Sequence, residues 1–344
     1  MVDWLVAEKL AALIAGTPEG RRPRADLAEL ARDSEQRVVA YTGLEPRSPL
    51  PPPEGIERPE WVRANLAGMQ QLLDPVLDKA GGKGPLAPAL RLAAGAIVSA
   101  EVGIILGLMA QRVLGQYELV LLEEAERRPP RLLFVMPNLG EAVGNLDVPE
   151  DEFVRWVALH EVTHAVQFSG VPWLQDHLAG LVRTLLDHME LRVDAGRVAR
   201  FPALTDLKRA ADHVRRGDLI GLVARPEERA TLDRLQVVMS VVEGHAEHVM
   251  DAVGVDVLPS LDRLRGALER RRSSATGAAK LLWRLLGLEM KMRQYQQGKA
   301  FCDAVVAQGG IERLNVVWSS PEAMPTGDEL ERPAAWLART AAAA

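Results

Sequence analysis

Cysteine is nearly missing from this 344-residue chain, where Cys302 stands alone. One thiol forms no intrachain disulfide, which fits a reducing, cytoplasmic setting, and it excludes a metal site built from several thiolates. Aromatic residues are scarce as well, at 4%. A composition led by Ala, Leu, Arg and Glu favours helices, because strands draw on β-branched and aromatic side chains. Basic charge is not in excess: 41 Lys and Arg stand against 47 Asp and Glu, for a net charge of −6. Such a chain lacks the cations that neutralise phosphates, so nucleic acid is not an expected partner. Nor is there a long unbroken apolar run. The most membrane-like stretch, 93–110, carries Glu101 at its centre and is barely long enough to span. It reads as a buried core helix, and no membrane partner is expected. The first sixteen residues carry Asp3, Glu8 and Lys9 and do not read as a secretory leader.

What is present organises into helices. Segment 43–59 gathers Pro49, Pro51, Pro52 and Pro53 and reads as an extended surface connector. Helical periodicity follows over 61–80, and 86–126 reads as one or two long helices. Within the latter, Gly95, Gly103 and Gly107 have spacings that permit close helix packing. Residues 131–138, RLLFVMPN, have the large apolar run of a strand. A loop is expected over 140–149, with Asp147 as N-cap and Pro149 opening the next helix. Further helices are expected over 150–168, 174–200, 204–216, 231–253, 260–272 and 277–298, then a loop-like tail from Ser319 and a short end helix. The expected fold is mainly α with a small β-sheet, an α+β architecture. An N-terminal helical segment and proline-rich connector over 1–59 precede one larger domain over 60–344.

Residues 160–164 read His-Glu-Val-Thr-His, an HExxH motif inside the helix over 150–168. Four residues make slightly more than one helical turn, so His160 and His164 project from one face and can reach one ion. Zinc accepts neutral imidazoles in a tetrahedron, and Glu161 lies beside them to take a proton from water. A third ligand must come from elsewhere. In the helix over 231–253, Leu232, Leu235, Met239, Val242, Ala246, Val249 and Val253 form an apolar stripe. Glu243 points about 40° from Met239 and about 20° from Met250, on the buried flank, where a carboxylate needs a cation or strong donors. A metal supplies that cation, and an arginine is the alternative. Glu247, one turn on, can accept a hydrogen bond from the outer nitrogen of a ligand histidine. His245 faces roughly the opposite side, and His248 is intermediate.

HExxH followed in a later helix by a glutamate in a Glu-Gly-x-Ala setting resembles the gluzincin metallopeptidases, a branch of the zincins. The resemblance implies His160, His164 and Glu243 as zinc ligands, Glu161 as catalytic base, and Glu247 where the family often has Asp. Glu243 comes 79 positions after His164, a longer gap than typical gluzincins have. The segments RVLGQY, WVALHEVTHAVQF, EGHAEHVMD and LGLEMKMRQYQQGKAF are similar to a narrower bacterial family of zincin-like proteins, from about residue 60 onward. Members of that family carry hydrolase or metallopeptidase labels, some by association with deazaflavin-coenzyme biosynthesis.

The expected function is thus a zinc-dependent hydrolase, a metallopeptidase, in which zinc-bound water activated by Glu161 attacks a carbonyl of a peptide or small amide. The alternative is a non-catalytic zincin scaffold with a structural metal. A di-iron carboxylate protein would need a second Glu-x-x-His, and Ala246 stands three residues after Glu243. Residues 131–138 are expected either as an edge strand beside the zinc, open to an extended peptide, or as an internal core strand. Tyr295 and Arg293 are candidates for stabilising an oxyanion or contacting substrate. His177, His188 and His213 read as structural, and Cys302 as a small core residue.

Overall fold

The computed structural model describes residues 2–16, 22–79, 87–118, 129–146, 148–188, 226–273 and 288–341. The chain divides into two compact units. The first comprises Met1–Gln36, Pro49–Ala165 and Leu186–Val193, the second Arg37–Ser48, Val166–Leu185 and Asp194–Ala344.

In the first unit, α1 (Trp4–Ala15) begins at Asp3, whose side chain accepts from Val6 N–H at 3.0 Å. Its fully buried Ala7, Ala11 and Ala15 recur every fourth residue and leave one face bare. α2 (Leu27–Thr42) starts in this unit, and its Asp33 pairs with Arg155. β1 (Pro53–Ile56) precedes α3 (Arg58–Lys79) and α4 (Ala87–Ala110). Gly103 and Gly107 of α4 meet the bare face of α1. A Cβ there would stand 2.8 Å from the carbonyl oxygens of Ala7 and Ala11 respectively. The close packing expected from the Gly103 and Gly107 spacing is therefore backbone against backbone.

At the start of α3, Arg58 is buried but fully engaged. It donates to the Ala15 carbonyl at 3.0 Å, Asn138 Oδ1 at 2.6 Å and Glu141 Oε2 at 2.7 Å. Asn138 in turn donates to the carbonyls of Ala110 and Val113. The bonds to Ala15 and Ala110 answer carbonyls that helix ends leave orphaned.

The sheet has three strands: β1, β2 (Gly115–Glu118) and β3 (Arg131–Val135), in the order β1-β3-β2. β1 is parallel to β3 and β2 antiparallel to it. Pro53 opens β1, a strand position that tolerates a missing N–H. Leu132 to Val135 are buried, so β3 is an internal core strand and the edge-strand alternative for it is overturned. The edges are β1 and β2, and β2 arises within a segment expected to be helical to residue 126. The strand over 131–138 also ends early. α5 (Met136–Leu146) follows at once and replaces most of the expected loop, since Pro137 in its first turn forfeits no helical hydrogen bond. The proline-rich connector forms no helix over 43–57, contributes β1 as an extended piece, and supplies the first two residues of α3. Asp147 lies outside the described residues.

α6 (Glu150–Gly170) runs unbroken through Ala165 in the first unit and from Val166 in the second. Glu150, Asp151 and Glu152 occupy its first turn, where negative charge suits the helix dipole. The second unit holds α7 (Leu174–His188), α8 (Pro226–Val257), α9 (Leu261–Ser273) and α10 (Leu288–Asn315). Two 3-10 turns follow (Val316–Trp318 and Pro321–Ala323), then α11 (Gly327–Glu331) and α12 (Pro333–Ala341). α8 and α10 touch through glycine. A Cβ on Gly244 would lie 2.2 Å from the Gly298 carbonyl carbon, and one on Gly298 would lie 1.9 Å from the Ser240 oxygen. Gly310, at φ 76°, kinks α10. Thr326 and Glu329 form a capping box on α11, and Arg339 clamps Glu329 with two bonds.

The expected α+β class holds: helices dominate, with one small sheet. The expected helix over 204–216 lies outside the described residues, as do 189–200 and 277–287. Among the described residues, no helix is long and apolar enough to cross a membrane.

Candidate metal centre

α6 is buried on nearly every side. Phe153, Val154, Val157, Ala158, Leu159, Val162, Ala165 and Val166 are at most 2% exposed. Its polar residues are therefore the exceptions that need partners. Thr163 turns back to the Leu159 carbonyl at 2.6 Å. His160 and His164 turn toward each other, with Nε2 atoms 3.2 Å apart and rings at 81°. Trp156, one turn before His160, lies nearly parallel to its ring at 6.4 Å between centroids.

Glu161 leaves the helix in another direction, toward β2. Its Oε2 accepts from the Tyr117 backbone N–H at 3.0 Å, and its side chain lies against Gly115. Burial pushes the nearby Tyr117 phenol up to about 12, so the ring stays neutral at physiological pH.

One turn beyond His164, Gln167 is fully buried and donates to the Val242 carbonyl at 3.0 Å and to His245 Nδ1 at 2.8 Å. These bonds tie the last turns of α6 to α8 at the residue preceding Glu243. The donor atoms of His160, His164 and Glu243 all lie within 4.8 Å of one another. Among the described residues, no other trio of His, Cys, Asp or Glu converges in this way. The donor set suits zinc, which takes imidazole nitrogen and carboxylate oxygen at about 2.0–2.2 Å. In a tetrahedron of that size, neighbouring donors are about 3.3 Å apart, close to the observed Nε2 separation. Two imidazole nitrogens and one carboxylate, with His164 buried and His160 and Glu243 half-buried, therefore fit a divalent ion.

The other candidates fall elsewhere. His245 packs edge to face with Trp318 at 5.2 Å and is held by Gln167, which makes it structural. His248 Nε2 meets the Tyr41 hydroxyl at 2.8 Å and its Nδ1 meets Asp303 at 2.7 Å. Asp251 pairs with Arg265 and Lys299. Glu247 is half-buried one turn after Glu243. His177 packs edge to face on Trp173 at 5.6 Å. Cys302 is fully buried, and burial pushes its thiol up, in keeping with a core role. The side chains of Tyr295, Arg293 and His188, and all of His213, lie outside the described residues. Sequence reasoning missed Gly115 and Gln167. Gly115 gave a faint signal, being a glycine just before an alternating Gln-Tyr-Glu.

A family profile described as zincin-like metallopeptidase matches residues 2–337. The chain belongs to the zincin-like metallopeptidase family. Among solved structures, this zincin-like protein is similar to a provisionally assigned hydrolase with a novel fold from Chloroflexus aurantiacus. The two are 29% identical with a TM-score of 0.72, over 99% of each chain. No curated protein matches the chain in sequence. The family is one of hydrolases, it implies a bound metal that is usually zinc, and it implies peptide substrates.

Proposed function

We propose that this chain is a zinc-dependent hydrolase acting on peptide or small amide bonds, with His160, His164 and Glu243 as ligands and Glu161 as general base. The observation that carries the reading is the convergence of those three donor groups within 4.8 Å, on an HExxH helix whose two Nε2 atoms stand 3.2 Å apart. Zinc held there supplies Lewis acidity, which lowers the pKa of water and polarises a carbonyl. The remaining work falls to the chain. Glu161 is 7% exposed, so its carboxylate works where electrostatic interactions are little weakened by solvent. It takes the proton from attacking water and passes it to the leaving amine. Glu247, one turn beyond Glu243, orients a ligand imidazole.

β2 favours an extended substrate. Among the described residues no strand lies beyond it, and an edge strand beside the base is where a peptide backbone adds. The single buried thiol fits a cytoplasmic location, which is part of this proposal.

The test combines metal analysis with peptide cleavage. Purified protein is expected to carry one zinc per chain, lost in His160→Ala, His164→Ala and Glu243→Ala. Glu161→Gln is expected to keep the zinc and to lower cleavage of a peptide library at least a hundredfold, the scale of general-base catalysis (about 10²–10⁴). Full activity in Glu161→Gln would refute the mechanism. A fourth protein ligand closing the zinc would favour a structural metal instead.

A further inference from the structure

Glu161 is a long side chain on a helix, and α6 alone does not determine where its carboxylate points. Two partners that help to aim it are in β2. Tyr117 N–H donates to Glu161 Oε2 at 3.0 Å. Two residues earlier, Gly115 comes so close that a Cβ would lie 2.6 Å from Glu161 Cγ and 3.0 Å from both Cδ and Oε1. The pairing of β2 explains why these two positions act together. Val135 N–H donates to the Leu114 carbonyl at 2.9 Å. In an antiparallel pair the hydrogen-bonding groups alternate in direction. Leu114, Gln116 and Glu118 therefore turn their amides toward β3, while Gly115 and Tyr117 turn theirs to the edge away from β3. Glu161 lies along that edge.

We propose that β2 is the positioning element for the base: the Tyr117 amide holds one carboxylate oxygen, and the bare Cα of Gly115 leaves room for the side chain to lie flat against the strand. The proposal rests on the reading of Glu161 as the base and goes beyond it by naming what aims the base. It assigns Gly115 a steric role that no other residue type fills. At Tyr117 it assigns the function to the main chain and not to the phenol. A methyl at position 115 meets the middle of the Glu161 side chain, so the base must move even if the strand stays.

Amide exchange and melting of the full-length, zinc-free protein test this without reference to turnover. Glu161→Ala is expected to speed hydrogen exchange at the Tyr117 amide about tenfold, the effect of losing one hydrogen bond to a charged acceptor. Glu161→Gln keeps an acceptor oxygen and is expected to retain most of the protection. Gly115→Ala is expected to release the Tyr117 amide, to lower the melting temperature by about 2 °C or more, and to leave zinc affinity within about twofold of wild type, since the three atoms nearest a Cβ at position 115 all belong to Glu161. In a Glu161→Ala background the same substitution is expected to have no such cost, because the colliding side chain is gone. Where cleavage is measurable, Gly115→Ala lowers kcat and leaves KM unchanged. An unchanged Tyr117 exchange rate in Glu161→Ala overturns the positioning, as does a Gly115→Ala cost that is equal in both backgrounds. If Gly115→Ala does not fold, the Tyr117 exchange rate in Glu161→Ala alone decides. Full activity in Glu161→Gln, with the coupling to Gly115 intact, overturns instead the base assignment on which the proposal stands.

Discussion

Replacing Gly298 by alanine sets two effects of opposite sign against each other. Alanine is the better helix former by about 1 kcal/mol, so an exposed helical position would gain stability. At Gly298 the new Cβ lands 1.9 Å from the Ser240 carbonyl oxygen and 2.6 Å from its carbon, both main-chain atoms of α8. A carbon and an oxygen rest at about 3.3 Å, so the two helices must part by about 1.4 Å at the crossing. A methyl group has no rotamer by which to escape, and the reciprocal contact of Gly244 with Gly298 leaves no slack. Overpacking of a tight interior costs about 1–3 kcal/mol, and more where backbone must move. The steric effect wins, and a net loss of about 2 kcal/mol is expected, read as a fall of about 4 °C in a calorimetric scan. Ser240 lies three residues before Glu243, so parting the helices also displaces that carboxylate. Zinc affinity by competition with a chromogenic chelator is expected to fall more than tenfold. A Gly298→Ala protein as stable as wild type would show that the α8–α10 contact is looser than the distances state, and the argument would fail.

Three further outcomes follow from the same geometry. Gln167→Leu removes the donors to the Val242 carbonyl and His245 Nδ1, and a loss of about 2–3 kcal/mol is expected in urea unfolding from two buried groups left unmatched. Zinc at a hundredfold excess over its dissociation constant is expected to stabilise the protein by about 2.7 kcal/mol; chelation reverses the shift, and Glu243→Ala abolishes it. The Arg339 clamp, outweighing burial, holds the Glu329 carboxyl below its ordinary value. A depressed carboxylate contributes stability above its unfolded value, about 4.3, and loses it as pH falls through the folded one. The urea midpoint should therefore drop more steeply below about pH 4.3 in wild type than in Glu329→Gln.

Local signals made much of this molecule legible. The HExxH spacing is a one-turn argument, and the two Nε2 atoms do face each other. The apolar stripe of α8 placed Glu243 on its flank, half-buried, with a donor atom within 4.8 Å of those of the two imidazoles. Gly103 and Gly107 announced a close helix contact at the spacing of a helical turn. What escaped was non-local. Gly115 to Glu118 form a strand because β3 offers them a partner, and four residues with one glycine and one short alternation carry too little signal of their own to set them off as one. Residues Met136–Leu146 were hidden because a strand passes into a helix with no intervening turn. Gly244 drew notice as part of a Glu-Gly-x-Ala pattern, whereas its contact is with Gly298, on a helix distant in sequence. Gln167 carries no periodic signal and gains meaning only when Val242 and His245 stand opposite it.

The Gln167–His245 bond spans 78 residues, and the bond from Tyr117 to Glu161 spans 44. Contacts that distant in sequence come at a loop-closure cost that local helical turns escape, and topologies rich in them fold slowly. A refolding chain will recover its circular-dichroism signal for helix well before it can hold an ion. Stopped-flow dichroism run beside a zinc-responsive dye should record two separated phases, so freshly refolded protein that looks native by spectrum will for a time be unable to accept metal.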